Sequence, residues 1–315
     1  MINITHLSRH YGEFKAVDDV SFTISQGEVV GLLGHNGAGK TTVMKMLTGY
    51  LEPTAGTIEI DQRSMSQHRS ALQKQLGYLP ENCPLWPEMT VIDYLAYQAS
   101  LHGLPASQQT AAVARAIRRT DLGAKATHTI HTLSRGYRQR VGVAQAILHE
   151  PAIIILDEPT NGLDPTQIHH MRELIRDLAK NATVLLSTHI LQEVQAVCER
   201  VLIMRTGKLV LDARLDDLQH ARRLLVSLNN DKATKYLGKL AGVSDVKRTK
   251  QANGLYTYSL KAAPELAPQV AAAVQQAGDE LYGLQAESRN LENVFAEVNS
   301  QHSDNTQQEQ EVANG

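Results

Sequence analysis

Over its first sixty residues the chain alternates apolar and polar positions in short bursts. Residues 2–4, 21–24, 29–33 and 57–60 read as strands, with Gly12, Gly27, Pro53 and Gly56 as turn residues between them. At Thr90 the period changes. Val91, Tyr94, Leu95 and Ala99 recur at helical spacing, and Thr90 with Asp93 three residues on has the form of an N-terminal cap. Residues near 90–150 should therefore be mainly helical. Further on, residues 152–156 and 183–187 are short apolar runs separated by a helix-like stretch over 166–180. Strand, helix, strand with both strands apolar predicts a parallel sheet covered on both faces.

After about residue 215 the pattern restarts. Strands are expected over 223–228, 243–249, 255–260 and 281–285, with helices over 233–240 and 264–276 and a turn at Asn253 and Gly254. The order βαββαβ is that of a ferredoxin-like domain. Residues 301–315 are nearly all polar and are expected to be disordered.

With 315 residues, 42% of them hydrophobic, the chain can bury a full core in one large domain with a smaller one, or in two domains. Its longest apolar runs fall far short of the ~18–20 residues a membrane helix needs, so no membrane span is expected. The first residues show no basic segment followed by an apolar one, which predicts a cytosolic protein. Two cysteines, Cys83 and Cys198, without CxxC spacing fit free thiols rather than a bridge or a metal site. His128 and His131 lack the context of a metal motif.

A formal charge of −2, from 31 basic and 33 acidic residues, gives no global attraction to nucleic acid or anionic lipid. Any anion site must be local. Arg115, Arg118 and Arg119 lie at helical spacing, which fits a solvated helix face better than a nucleic-acid patch.

One such local site is plain. Gly34, His35, Asn36, Gly37, Ala38, Gly39, Lys40 and Thr41 match GxxxxGK[ST], after an apolar strand and before a helical stretch that begins at Thr42. Glycines let backbone N–H groups curl around phosphate oxygens, and the following helix turns its positive end to the same anion. Lys40 adds a point charge for the β- and γ-phosphates, and the Thr41 hydroxyl suits a bridging Mg2+. Such a site needs a carboxylate at a neighbouring strand end, where the sequence has Asp157. Glu158, next to it, either orients and deprotonates the attacking water or is a solvated acid at a strand end. His189 ends the strand that reaches Thr188, so a parallel sheet brings it to the same carboxyl edge. There it either hydrogen-bonds the γ-phosphate or is a core histidine.

Together the P-loop, the run Leu133, Ser134, Arg135, Gly136, Tyr137, the strand ending in Asp157 and Glu158, the run Asn161, Gly162, Leu163, Asp164, and His189 resemble the ATP-binding cassette (ABC) ATPases in order and spacing, over residues 1–212. The resemblance implies an α/β P-loop NTPase fold with a β-rich subdomain and a helical signature subdomain near 85–150. The expected plan is an ATP-binding domain over 1–215, a small α+β ferredoxin-like domain over 216–300 and the tail. It also implies roles. Tyr11 looks like the aromatic that stacks on adenine, the alternative being a buried strand tyrosine. Asp164 resembles the residue that communicates across a dimer interface. Ser134 and the backbone around Gly136 would bind the γ-phosphate held by the P-loop of a partner cassette, with ATP and Mg2+ between two copies.

Two positions depart from the family pattern. The signature is usually LSGGQ, and here Arg135 and Tyr137 replace its third and fifth residues; Arg135 adds charge for the partner's phosphate under this resemblance. Glu81, in the run Gly77, Tyr78, Leu79, Pro80, Glu81, stands where glutamine is usual, as a further Mg2+ ligand on the loop that meets the membrane partner. These forms, with Leu291 to Phe295 near the end, look like cassettes that serve type-2 ABC exporters. Such a protein is peripheral to the cytoplasmic side of the cell membrane, works as a homodimer with a permease on a separate chain, and has no nucleic-acid partner. The alternative is a soluble ABC ATPase acting on ribosomes or nucleic acid. The near-neutral charge, single cassette and lack of a coiled-coil insertion speak against it.

Overall fold

The structure, a computed structural model, describes residues 1–219, 223–252, 254–286 and 295. The chain divides into two compact units, Met1–Leu215 and Asp216–Gly315.

The first unit opens with a hairpin, β1 (Ile2–Tyr11) and β2 (Phe14–Ile24), far longer than the strand pattern suggested. Register shifts between Ile4 and Leu7 and again near Arg9 break the alternation, which hides the rest of the strand from a period-two reading. Then follow β3 (Val29–Leu33), α1 (Lys40–Leu47), β4 (Ala55–Ile60), β5 (Arg63–Ser64), α2 (Met65–Gln73) and β6 (Leu76–Leu79). The helical region is α3 (Val91–Leu101), α4 (Ala106–Arg119) and α5 (Arg135–Ile147), and Thr90 does cap α3 by accepting from the Asp93 N–H. Next come β7 (Ile153–Asp157), α6 (Pro165–Ala179), β8 (Thr183–Thr188), α7 (Leu191–Val197), β9 (Arg200–Arg205) and β10 (Lys208–Arg214).

An antiparallel sheet in the order β2-β1-β4-β5 faces a six-stranded sheet in the order β10-β9-β3-β8-β7-β6. In the latter, β9, β3, β8, β7 and β6 are parallel and β10 is an antiparallel edge. Every residue of β3, β7 and β8 is buried, as doubly covered strands require. Val30 and Leu32 join Met44, Leu47, Ile58 and Ile155 in one core, while Gly31 lies against Val194 of α7.

Strand register positions the chemistry. Leu33 pairs with Thr188, Asp157 with Ser187 and Leu79 with Leu156. The residues that follow, Gly34, His189, Glu158 and the Pro80–Glu81 pair, therefore emerge side by side at the carboxyl edge of the sheet.

Arg115 pairs with Glu150 at 3.0 Å and Arg119 with Asp177 at 2.9 Å, so two of the three spaced arginines are matched by acids. Cys83 and Cys198 are free thiols. Among the described residues no helix is long and apolar enough to cross a membrane, and no group of three or more His, Cys, Asp and Glu could hold a metal by itself.

Helix α8 (Leu215–Gln219) begins at the unit boundary, and the second unit continues with β11 (Arg223–Leu228), α9 (Thr234–Leu237), β12 (Ser244–Ala252), β13 (Leu255–Lys261), α10 (Ala267–Gln276) and β14 (Leu281–Ala286). The sheet order β12-β13-β11-β14, antiparallel throughout, is the ferredoxin-like one. Leu224, Val226 and Leu228 alternate into a core with Tyr258, Leu260, Val270 and Val274. Helix α10 starts later than the sequence predicts, because residues 264–266 form a 3-10 turn, and α9 is shorter than the stretch expected. The disorder expected over 301–315, and Leu291 to Val294, lie outside the described residues.

Candidate functional site

Chain leaving β3 must turn tightly beneath its neighbours before α1 begins. A Cβ on Gly34 would fall 2.5 Å from the Met204 carbonyl oxygen, and Gly39, at φ +102°, would bring one to 2.5 Å from that of Ala16. Only glycine fits either position. Gly39 also has no side chain to cap α1, so no cap occupies the first-turn N–H groups at Lys40, Thr41 and Thr42. His35, Asn36 and Gly37 form the exposed crest of the loop, and Ala38 is buried beneath it.

Lys40 is buried, at 5% exposure. Its Nζ donates to the Gly34 carbonyl at 2.8 Å and that of His35 at 3.3 Å, and lies 3.5 Å from Glu158 Oε1. The other carboxylate oxygen, Oε2, is 2.8 Å from His189 Nδ1, which as the neighbour of a carboxylate is the donor. Lysine, glutamate and histidine thus form one hydrogen-bonded, ion-paired row along the sheet edge. Glu158 is buried and His189 exposed, so the solvated acid and the core histidine are both replaced by a built pair.

Glu158 adopts φ +50°, a left-handed conformation that costs a non-glycine residue on the order of 1 kcal/mol or more. Its N–H donates to the Ser187 carbonyl at 3.0 Å, and its carbonyl accepts from the Asn161 N–H at 3.1 Å. Neighbouring strand and following loop together hold the strained residue.

Asp157 is fully buried, and neither of its carboxylate oxygens has a hydrogen-bond partner. The hydroxyl of Ser187, paired in register with Asp157, is buried and unpartnered too. Burial pushes the Asp157 carboxyl above its ordinary range, the hydroxyls of Ser187 and Thr41 partly oppose this, and the charges of Glu158 and Glu81 add to it. An uncompensated carboxylate among hydroxyls is the donor set of a hard divalent cation that takes its remaining ligands from water and phosphate, so these residues fit Mg2+.

Tyr11 ends β1 half exposed, with the Arg9 guanidinium 4.7 Å from its ring centroid. It is therefore not a buried strand tyrosine, and one face of the ring carries a cation that the spacing gave no reason to suspect. Glu81 is exposed and accepts from Asn161 Nδ2 at 3.4 Å. Asp164 caps α6 by accepting from the Gln167 N–H at 2.9 Å.

Ser134 caps α5, accepting from the Tyr137 N–H at 3.4 Å. Gly136 is buried under the Gln167 side chain, and the Arg135 guanidinium lies on Gly162. This group of residues meets the 161–167 loop of its own chain, whereas Lys40, Thr41, Asp157, Glu158 and His189 assemble at the P-loop. Ser187 and Gln167 belong to the site although pattern reading passed over them, and Asn161, noted only within the run to Asp164, joins them through Glu81 and Glu158. Ser187 alone had a signal, a polar residue inside an apolar strand.

Comparison with known proteins agrees with this geometry. A family model described as ABC transporter matches residues 17–161. The uncharacterized ABC transporter ATP-binding protein YhaQ of Bacillus subtilis is 31% identical over 299 residues, covering 94% of this chain and 98% of that one. Nod factor export ATP-binding protein I of Ralstonia nicotianae is 33% identical over 219 residues, covering 69% of this chain and 68% of the other. The solved structure of an ATP binding subunit of an ABC transporter superposes with a TM-score of 0.63 at 32% identity, covering 70% of this chain and 92% of its own.

Proposed function

The chain belongs to the ABC transporter ATP-binding proteins, and from that premise we propose that it powers an exporter: two copies close on two MgATP and drive a permease carried on another chain. The observation that carries this is the row Lys40, Glu158 and His189 at the P-loop, with the unpartnered Asp157 beside it.

Lys40 is ion-paired with Glu158 and donates to the loop's own carbonyls. A γ-phosphate draws Lys40 away, because a dianionic phosphate competes with one carboxylate for the ammonium. Glu158 is then free at Oε1 to take a proton from the attacking water, while Oε2 stays oriented by His189. With Nδ1 turned to Glu158, His189 has Nε2 left to face the γ-phosphate. Thr41 and Asp157 would hold Mg2+, with Glu81 as a further carboxylate, and the ion would supply charge neutralisation to the triphosphate. Tyr11 offers its ring to adenine. Ser134 and the α5 N-terminus at Gly136 form a second anion site away from the P-loop, which fits ATP held by the partner copy. Asp164, exposed at the head of α6, lies beside that site.

For the permease, the first unit presents a joined aromatic and apolar surface. Trp86 packs on Tyr97 at 4.9 Å between ring centroids, Leu101 follows one turn along α3, and Tyr50 lines the same cavity as Leu101. All four are exposed, and such a patch marks a protein contact. The placement is then peripheral, on the cytoplasmic face of the membrane that holds the permease.

Pull-down of the tagged chain from native membranes in mild detergent tests this reading. A stoichiometric polytopic protein is the expected companion. Recovery with ribosomes, with nucleic acid, or alone would overturn the transporter assignment.

A further inference from the structure

The two charged departures from the family pattern converge on one loop. Arg135 brings a positive charge in place of a glycine, and Glu81 a negative one in place of an amide. Both line a single cavity of about 410 Å3. Between them runs the segment that begins at Asn161, which donates through Nδ2 to Glu81 Oε1 at 3.4 Å. One residue on, Gly162 has φ +71°, and the Arg135 guanidinium lies so flat upon it that a Cβ there would fall 2.5 Å from Nη1. The same interlock repeats at Gly136, where an added Cβ would meet the Gln167 side-chain amide carbon at 2.5 Å.

This loop leads straight to the chemistry. Asn161 N–H donates to the Glu158 carbonyl at 3.1 Å, and Glu158 is strained at φ +50°. A shift at 161–162 therefore reaches the backbone that aims the Glu158 carboxylate. We propose that Arg135 and Glu81 are a matched pair of positioning residues that grip the 161–164 loop from two sides and, through it, hold Glu158 in line with Lys40 and His189. The proposal rests on Glu158 acting as the general base.

The test is a double-mutant cycle on the full-length chain, reading kcat and KM for ATP together with thermal melting. Arg135→Ala and Glu81→Ala should each lower kcat about threefold to tenfold with KM changed less than about twofold, and the double variant should be no slower than the slower single. Arg135→Lys, which keeps the charge but loses the flat contact, should fall between Arg135→Ala and the parent. Unchanged melting temperatures would accompany these losses. Independent, multiplying effects of the two substitutions, or a raised KM with intact kcat in Arg135→Ala, would overturn the proposal; the latter would make Arg135 a phosphate ligand instead. Glu158→Gln run alongside separates the two levels. Hydrolysis at the parental rate in that variant defeats the general-base assignment itself, whatever the pair does.

Discussion

At Glu158 a single carboxylate faces a buried ammonium on one side and an imidazole on the other, in a backbone conformation that its neighbours enforce. Replacing it with glutamine keeps the size and one acceptor for His189 but removes both the charge and the proton-accepting ability. Glu158→Gln should therefore bind ATP at least as well as the parent, because a negative charge beside the triphosphate is gone, and hydrolyse it about 10²-fold more slowly or worse. Phosphate release in steady state, with nucleotide binding measured separately, checks both halves. This residue's type and place beside Asp157 were legible in the chain. Its burial, its left-handed backbone and its bond to His189 were not, since all three depend on β8 running beside β7.

Among the elements, α3 and α5 are joined at their C-terminal ends by a pair of histidines. His102 follows α3 and His149 follows α5; their rings stack with centroids 4.2 Å apart and planes 13° from parallel. His149 Nε2 lies 3.1 Å from the Leu76 carbonyl of β6 and serves as its donor, while Nδ1 is buried without a partner. Burial, with the neighbouring His102, pushes His149 down to about 4, and burial also lowers His102. The unfolded chain thus binds more protons than the folded one between an ordinary histidine value and about 4, so stability present at neutral pH is lost as the pH falls through that window. In His149→Gln, whose amide can still donate to Leu76, melting temperature should fall less steeply from pH 6.5 to 4 than in the parent. An equal slope in the two proteins would show that the acid sensitivity arises elsewhere. The helices were readable from their 3.6 period and from the Thr90 cap. Nothing in that period says which helix ends meet, and α2 carried too little apolar contrast to be read.

At the scale of the whole molecule, the P-loop row and the start of α5 at Ser134–Gly136 occupy separate places in one chain. If a working site is made from the P-loop of one copy and the α5 start of another, two different defects can complement each other. Lys40→Ala disables the first half and Ser134→Arg blocks the second, so each variant alone should be inactive. Mixing them leaves some dimers with one intact composite site, and a substantial part of the parental ATPase rate should return. No recovery on mixing, with both variants folded, would confine the reaction to a single chain.

Sequence alone determined what depends on local residue type: a glycine-rich phosphate loop between strand and helix, adjacent carboxylates at the end of an apolar strand, a capped signature helix, and the βαββαβ order of the second unit. Each is written in consecutive or closely spaced residues, where backbone preference and hydrophobic period act directly. Tertiary structure decided what depends on register. Parallel pairing of β3, β8 and β7 turns residues 40, 158 and 189 into one hydrogen-bonded row. Doubly covered strands leave Asp157 buried without a partner, and the 161–167 loop packs against the start of α5, where Arg135 finds Gly162. Strand order and loop packing come from long-range burial of apolar surface, which no short stretch of residues encodes by itself.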